Sequence, residues 1–92
     1  MDAAAVAIVH EELSASDPAF ALSYLAHSLL FVNNLNWNGS EAQKARYLPD
    51  ACTGRTMNGM CMSEPGSGTD VLSMRTHAAA VGSSWVVNGS KV

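Results

Sequence analysis

The sequence predicts an α+β chain: helices up to about residue 53, then the start of a β-domain. Three observations predict this. Apolar residues recur at helical spacing in the first half, the run Gly66-Ser67-Gly68 interrupts the second half, and Trp85-Val86-Val87 is rich in strand-forming residues. The change of character falls near residues 53–58, and the chain divides into a helical part, 1–55, and a β part, 56–92.

The first helix is expected over 2–14. Val6, Val9 and Leu13 recur at three and four residues, among alanines that favour helix. Ser14 to Pro18 is a break, where Asp17 can cap and Pro18 can take the first helical position. From Ala19 the pattern is apolar almost all round, which predicts a helix buried on most sides. It is expected to stop at the Asn-rich stretch 33–39. Ser40, with Gln43 three residues later, opens a third helix with a capping box, and Pro49 and Gly54 bracket its end. After the Gly-rich turn the chain is expected to become strand-like. Gly82-Ser83 is a turn, and Asn88-Gly89 is a type I′ hairpin signal with Ser90 to Val92 starting the returning strand. That strand has no completed partner, so the sequence reads as cut.

Composition excludes several function classes. Of 92 residues 48% are hydrophobic and only 14% charged, which leaves apolar surface uncovered in so short a chain. Net charge is −3 and there is no basic patch, so nucleic-acid binding is not expected. The longest apolar stretch, 19–32, is too short and polar to span a bilayer. The N-terminus lacks the basic residues of a signal or transit peptide. Cys52 and Cys61 read as two free buried thiols, and no metal-ligand spacing is present.

Residues 61–71, CMSEPGSGTDV, carry the chemistry. A P-loop needs a lysine that is absent, and a dinucleotide fingerprint needs a glycine where Val71 stands. A turn without a ligand is the plain alternative. Against it, backbone N–H groups near Gly66 and Gly68 can form an anion-binding nest, and Ser63, Ser67 and Thr69 supply hydroxyls. Met60, Cys61 and Met62 offer polarizable side chains that pack on flat rings. Such a site suits a large, flat, phosphate-bearing molecule.

The run Met62-Ser63-Glu64-Pro65-Gly66-Ser67-Gly68-Thr69-Asp70-Val71 resembles the flavin-binding signature of the acyl-CoA dehydrogenases. Residues 38–44 with Tyr47-Leu48-Pro49 look like that family's helix leading to its β-domain. Asn88-Gly89-Ser90-Lys91 matches its Asn-Gly-x-Lys hairpin. Residues 21–24 and 26–28 are most similar to the isovaleryl-CoA branch.

The resemblance implies the end of an N-terminal helical domain followed by the first strands of a middle β-barrel-like domain. It implies FAD as cofactor, held by Met60, Cys61, Met62, Ser63, Gly68 and Thr69. The backbone of 60–63 bonds the flavin's pyrimidine edge, and the Ser63 hydroxyl sits near its N5 side. Gly68 and Thr69 approach the pyrophosphate, and Thr69 also the pantetheine arm of an acyl-CoA substrate. The implied reaction is α,β-dehydrogenation: a carboxylate takes the α-proton while a hydride leaves the β-carbon for the flavin.

That carboxylate is expected downstream of Val92, so no catalytic residue is assigned in this chain. Glu64 belongs to the turn. Glu11, Glu12 and Glu41 read as solvated helix carboxylates, and His27 as a satisfied histidine. Arg55 and Asn58 depart from the family's usual acidic and small residues; Asn tolerates left-handed backbone.

The parent is expected to be a homotetramer that passes electrons to an electron-transfer flavoprotein, in the mitochondrial matrix of a eukaryote or the cytoplasm of a bacterium. A short or branched acyl-CoA is the expected substrate class. An acyl-CoA oxidase, or a truncated non-catalytic module that binds a partner, are the alternatives. The isolated chain is expected to purify without flavin.

Overall fold

A computed structural model describes residues 2–92. Helices occupy the first part and two antiparallel strands the last, as the α+β reading requires. By contacts the chain forms two compact units, Met1–Met60 and Cys61–Val92.

In the helical unit, α1 spans Ala3–Ser16, two residues longer at its end than the spacing predicts. Asp2 caps it, accepting the Ala5 N–H at 2.7 Å. The predicted break is real. Asp17 Oδ1 accepts the N–H groups of Ala19 and Phe20, each at 3.0 Å, and Pro18 opens α2, Pro18–Leu25.

Beyond Leu25 the helix does not end. A π-helical segment, Ala26–Asn33, runs into α3, Asn34–Asn38. At its start the Ser28 hydroxyl donates to the Tyr24 carbonyl at 2.7 Å, a back-bond that loosens helical turns. The helix therefore runs through most of the Asn-rich stretch and stops at its last residue. Its side chains bond along the helix: Trp37 Nε1 donates to Asn33 Oδ1, and Asn38 Nδ2 to the Asn34 carbonyl, both at 3.1 Å. The stop comes at Gly39, whose N–H closes on the Leu35 carbonyl at 2.8 Å.

The last helix, α4, spans Glu41–Cys52 with the predicted capping box. Ser40 Oγ accepts the Gln43 N–H, and Gln43 Oε1 accepts the Ser40 N–H. α4 ends at Cys52, between Pro49 and Gly54 as expected, and Pro49 lies inside its last turn. Its ring removes one ladder donor. Its carbonyl then accepts both the N–H and the hydroxyl of Thr53.

The helical face from Ala19 is less covered than its composition predicts. Among the described residues the buried hydrophobics are Ala21 and Ala51 alone, while Phe20 is 56%, Leu22 68% and Trp37 75% exposed. A helix apolar all round needs neighbours on every side, and α1 and α4 cover only part of it. The thiols are free as expected, but Cys52 and Cys61 are both exposed rather than buried.

In the second unit, Glu64 and Ser67 exchange backbone bonds at 2.9 and 3.1 Å around Pro65-Gly66. The chain next forms a 3-10 turn, Val71–Ser73, where a strand was expected. Asp70 drives it, accepting the Ser73 N–H on its carbonyl and the Ser73 hydroxyl on its carboxylate.

Strand β1, His77–Val81, pairs with β2, Ser84–Asn88, in antiparallel register from His77↔Asn88 to Val81↔Ser84. The connecting turn is Gly82-Ser83, with Gly82 at φ 61°, which fits a type II′ turn. Asn88-Gly89 makes no hairpin. Gly89 instead packs on Thr76, where a Cβ would stand 2.1 Å from Oγ1. The chain passes this point, and the Val92 N–H reaches the Ser63 carbonyl at 3.2 Å instead of starting a returning strand.

Candidate functional site

The run 61–69 is held from beneath by one carboxylate. Glu64 is 8% exposed. Its Oε2 accepts the Arg75 N–H at 2.7 Å, and its Oε1 accepts the Thr76 N–H at 2.9 Å. Lys91 Nζ lies 3.0 Å from the same Oε1. These donors, the Arg75 N–H first, hold the carboxyl well below its ordinary 4.5, at about 2. Glu64 is thus a fixed anion that joins the turn to the entry of β1. A group so firmly ionised and so fully bonded is poorly suited to take a proton, which agrees with its assignment to the turn.

The residues around it divide by what they have left to offer. Ser67 is buried, at 5% exposed, and its hydroxyl donates to the Asp70 carbonyl. Of the three hydroxyls singled out in the sequence, Ser67 is therefore consumed by the fold. Ser63 and Thr69 are exposed, and neither hydroxyl has a partner among the described residues. The N–H groups of Cys61, Met62 and Ser63 likewise make no hydrogen bond among the described residues. The carbonyls on the same stretch are anchored: Met62 accepts from Lys91 Nζ at 3.0 Å and Ser63 from the Val92 N–H. The segment is pinned through its acceptors and leaves its donors open.

The glycines follow the same division. Gly66 and Gly68 have no left-handed φ, so they do not form the alternating right- and left-handed nest that the sequence suggested. A Cβ at either position would meet nothing within 4 Å. Nothing inside the chain demands glycine there. A smooth backbone with open space beside it is what a ligand's close approach requires.

Met60 belongs to the helical unit. It is half-buried and borders a groove of about 300 Å³ with Leu30, Phe31, Leu35 and Gly59. A larger cavity of about 800 Å³ in that unit is lined by His10, Tyr24, His27, Val32, Trp37 and Leu48 among others, and by none of the predicted site residues. The lead into Met60 is well tied. Arg55 Nε pairs with Asp50 Oδ1 at 3.0 Å, and Asn58 Nδ2 donates to the carbonyl and hydroxyl oxygens of Thr56. Both departures from the family pattern therefore have local partners, and Asn58 is not left-handed.

One histidine has a larger structural part than its place in a helix predicts. His27 is bonded at both ring nitrogens: Nε2 to the Ala51 carbonyl and Nδ1 to the Asn58 N–H, each at 3.1 Å. Its satisfaction was legible; its partners, far along the chain, were not. Glu11, Glu12 and Glu41 are exposed as expected, and Glu41 pairs with Lys44 at 2.9 Å. Among the described residues no helix is long and apolar enough to cross a membrane, and no cluster could hold a metal ion.

Comparison with known proteins gives a consistent answer. A family model for the acyl-CoA dehydrogenase N-terminal domain matches residues 1–55. The chain is 45% identical over 84 residues to a mitochondrial isovaleryl-CoA dehydrogenase of Pongo abelii, covering 91% of this chain and 20% of the relative. It is 45% identical over 85 residues to the protein of the same name from Oryza sativa subsp. japonica, covering 92% and 21%. A mitochondrial long-chain specific acyl-CoA dehydrogenase of Sus scrofa is 37% identical over 94 residues, covering 99% and 21%. The chain thus spans about a fifth of the length of these relatives. On the family model and these identities, the chain belongs to the acyl-CoA dehydrogenase family.

Proposed function

We propose that the chain is part of a flavin-dependent acyl-CoA dehydrogenase that acts on a short branched acyl-CoA such as isovaleryl-CoA. The observation that carries this is the stretch Cys61–Ser63, fixed by its carbonyls and by Glu64, with three N–H donors and the Ser63 hydroxyl unpaired among the described residues. The isovaleryl-CoA relatives support the substrate class.

FAD fits these residues. Met60 and Met62 supply polarizable packing for a flat ring. The donors of Cys61, Met62 and Ser63 match carbonyl and ring-nitrogen acceptors on the flavin's edge. Gly68 and Thr69 offer open backbone and a free hydroxyl for the pyrophosphate, and Thr69 also for the pantetheine arm. When bound, the flavin supplies the hydride acceptor for α,β-dehydrogenation. The fixed donors of 61–63 stabilise negative charge that develops beside them, at no reorganisation cost. Glu64 holds the turn and takes no proton. The base lies outside this chain, in the remainder of the parent.

The β part continues as a middle β-barrel-like domain in this reading, after the helical domain 1–55. The parent is a homotetramer that passes electrons to an electron-transfer flavoprotein. Its place is the mitochondrial matrix if the source is eukaryotic, which the relatives' being named mitochondrial supports as far as the organelle, and the cytoplasm if bacterial.

The test is to express the full-length reading frame that contains this chain. The purified protein should carry FAD and oxidise isovaleryl-CoA faster than a long straight-chain acyl-CoA. A full-length protein that purifies and stays without flavin when FAD is added overturns the reading.

A further inference from the structure

His27 does more than satisfy itself. Its ring spans two backbone groups that are remote in sequence. The Ala51 carbonyl lies at the end of α4, and the Asn58 N–H lies in the loop that follows. A carbonyl can only accept and an N–H can only donate. The pair therefore fixes one tautomer, with the proton on Nε2 and a lone pair on Nδ1.

The ring sits in the π-helical segment, Ala26–Asn33, an irregularity that recurs at functional sites. Ala51 is the most buried hydrophobic residue described, at 2% exposed, so the bonds are anchored in the tightest part of the helical unit. Downstream, Asn58 stands two residues before Met60, where the proposed flavin-binding run begins. The segment between α4 and Asn58 is tied further by Asp50, whose carbonyl accepts the N–H groups of Arg55 and Thr56. In the loop 53–60, the bond from Asn58 to His27 is the one hydrogen bond to a helical segment other than α4 among the described residues.

We infer that His27 is a positioning residue for the flavin site: through Nδ1 it fixes the backbone at Asn58 and so sets the path of the chain into Met60, the first of the proposed flavin-binding residues. The inference rests on the function proposed above. His27 touches neither flavin nor substrate. It acts through the chain, and among uncharged side chains an amide comes nearest to it, because it too carries donor and acceptor on separate atoms.

The experiment uses the full-length flavoprotein with His27→Leu, His27→Gln and Asn58→Pro, read by visible flavin absorption, flavin circular dichroism and the FAD dissociation constant. His27→Leu fills the space without bonding. It should weaken FAD binding about tenfold or more and change the flavin spectra. His27→Gln, which carries both a donor and an acceptor, should restore most of the difference. Asn58→Pro removes the N–H that Nδ1 accepts together with the side-chain bonds to Thr56, and Asn58→Ala, which removes the Thr56 bonds alone, is its control. Asn58→Pro should shift the spectra in the same sense as His27→Leu even where that variant fails to fold, and Asn58→Ala should not. His10→Phe, in the same helical unit, serves as a control for lost stability alone and should leave the flavin spectra unchanged. If both His27→Leu and Asn58→Pro lower the melting temperature but leave spectra and affinity as in the wild type, the inference is overturned while the proposed function stands. A wild-type protein that takes up no FAD overturns the proposed function itself.

Discussion

Lys91 Nζ stands 3.0 Å from Glu64 Oε1 and 3.0 Å from the Met62 carbonyl oxygen, so one ammonium group ties the end of the second unit to the Gly-rich turn. Together with the Arg75 and Thr76 N–H groups it makes Glu64 the hub of that unit.

The hub sets a pH dependence. The Glu64 carboxyl is held at about 2 in the folded chain against an ordinary 4.5. A depressed carboxyl contributes stability that is complete above the unfolded value and lost as pH falls through the folded one. Its contribution should therefore fade between about 4.5 and about 2. Hydrogen exchange at the Arg75 and Thr76 amides, followed by NMR, reads this directly. Both amides should be protected above the window and open within it. Glu64→Ala, which removes both acceptor oxygens, should leave them fast-exchanging at every pH, and protection equal to the wild type in that variant would contradict this role.

Gly89 and Gly66 should respond oppositely to alanine. A Cβ at Gly89 would stand 2.1 Å from Thr76 Oγ1 and 2.7 Å from Thr76 Cα, and the backbone cannot yield cheaply. Gly89→Ala should destabilise by about 1–3 kcal/mol, as overpacking does. Gly66→Ala meets open space and should stay within about 0.5 kcal/mol of the wild type. Thermal unfolding of the full-length protein compares the two.

Caps and turns set by neighbouring residues were legible in the sequence. Asp17-Pro18, Ser40 with Gln43, and Gly82-Ser83 all do what their chemistry predicts, because each acts within one turn of chain. The errors arose where distant contacts overrule local signals. Asn88-Gly89 spells a hairpin, yet Gly89 is claimed by Thr76. The stretch 33–39 does hold the stop, at Gly39, and its delay to that last residue is a local effect: the asparagines first bond along the helix. Burial was overestimated for Cys52, Cys61 and Leu22, because composition reports what a surface needs and not what covers it. At the candidate site the motif was plain to read. The split between Ser67, used by the fold, and Ser63 and Thr69, left free, needed the structure.

The capping box at α4 should be worth measuring by itself. Ser40→Ala removes the acceptor for the Gln43 N–H and should lower stability by about 0.5–2 kcal/mol. Ser40→Asp retains an acceptor and should recover most of the loss. Denaturant unfolding of the full-length protein distinguishes them, and equal stability of all three would show that the cap contributes nothing.

Gly68 separates stability from ligand binding. Its Cβ position is empty, so Gly68→Ala should leave the melting temperature of the flavin-free protein unchanged. In the flavin-loaded enzyme the added methyl group occupies the space proposed for the pyrophosphate, and FAD affinity should fall by about tenfold or more. Fluorescence titration with FAD provides the comparison. An affinity equal to that of the wild type would remove Gly68 from the site.

In the function proposed above, this chain holds a flavin beside an acyl-CoA. The most direct measurement is the visible spectrum of the full-length protein, purified with FAD and kept anaerobic, as isovaleryl-CoA is added. Stoichiometric loss of the oxidised flavin absorption is expected. A flavin spectrum that stays unchanged with isovaleryl-CoA and with straight-chain acyl-CoAs alike would contradict it.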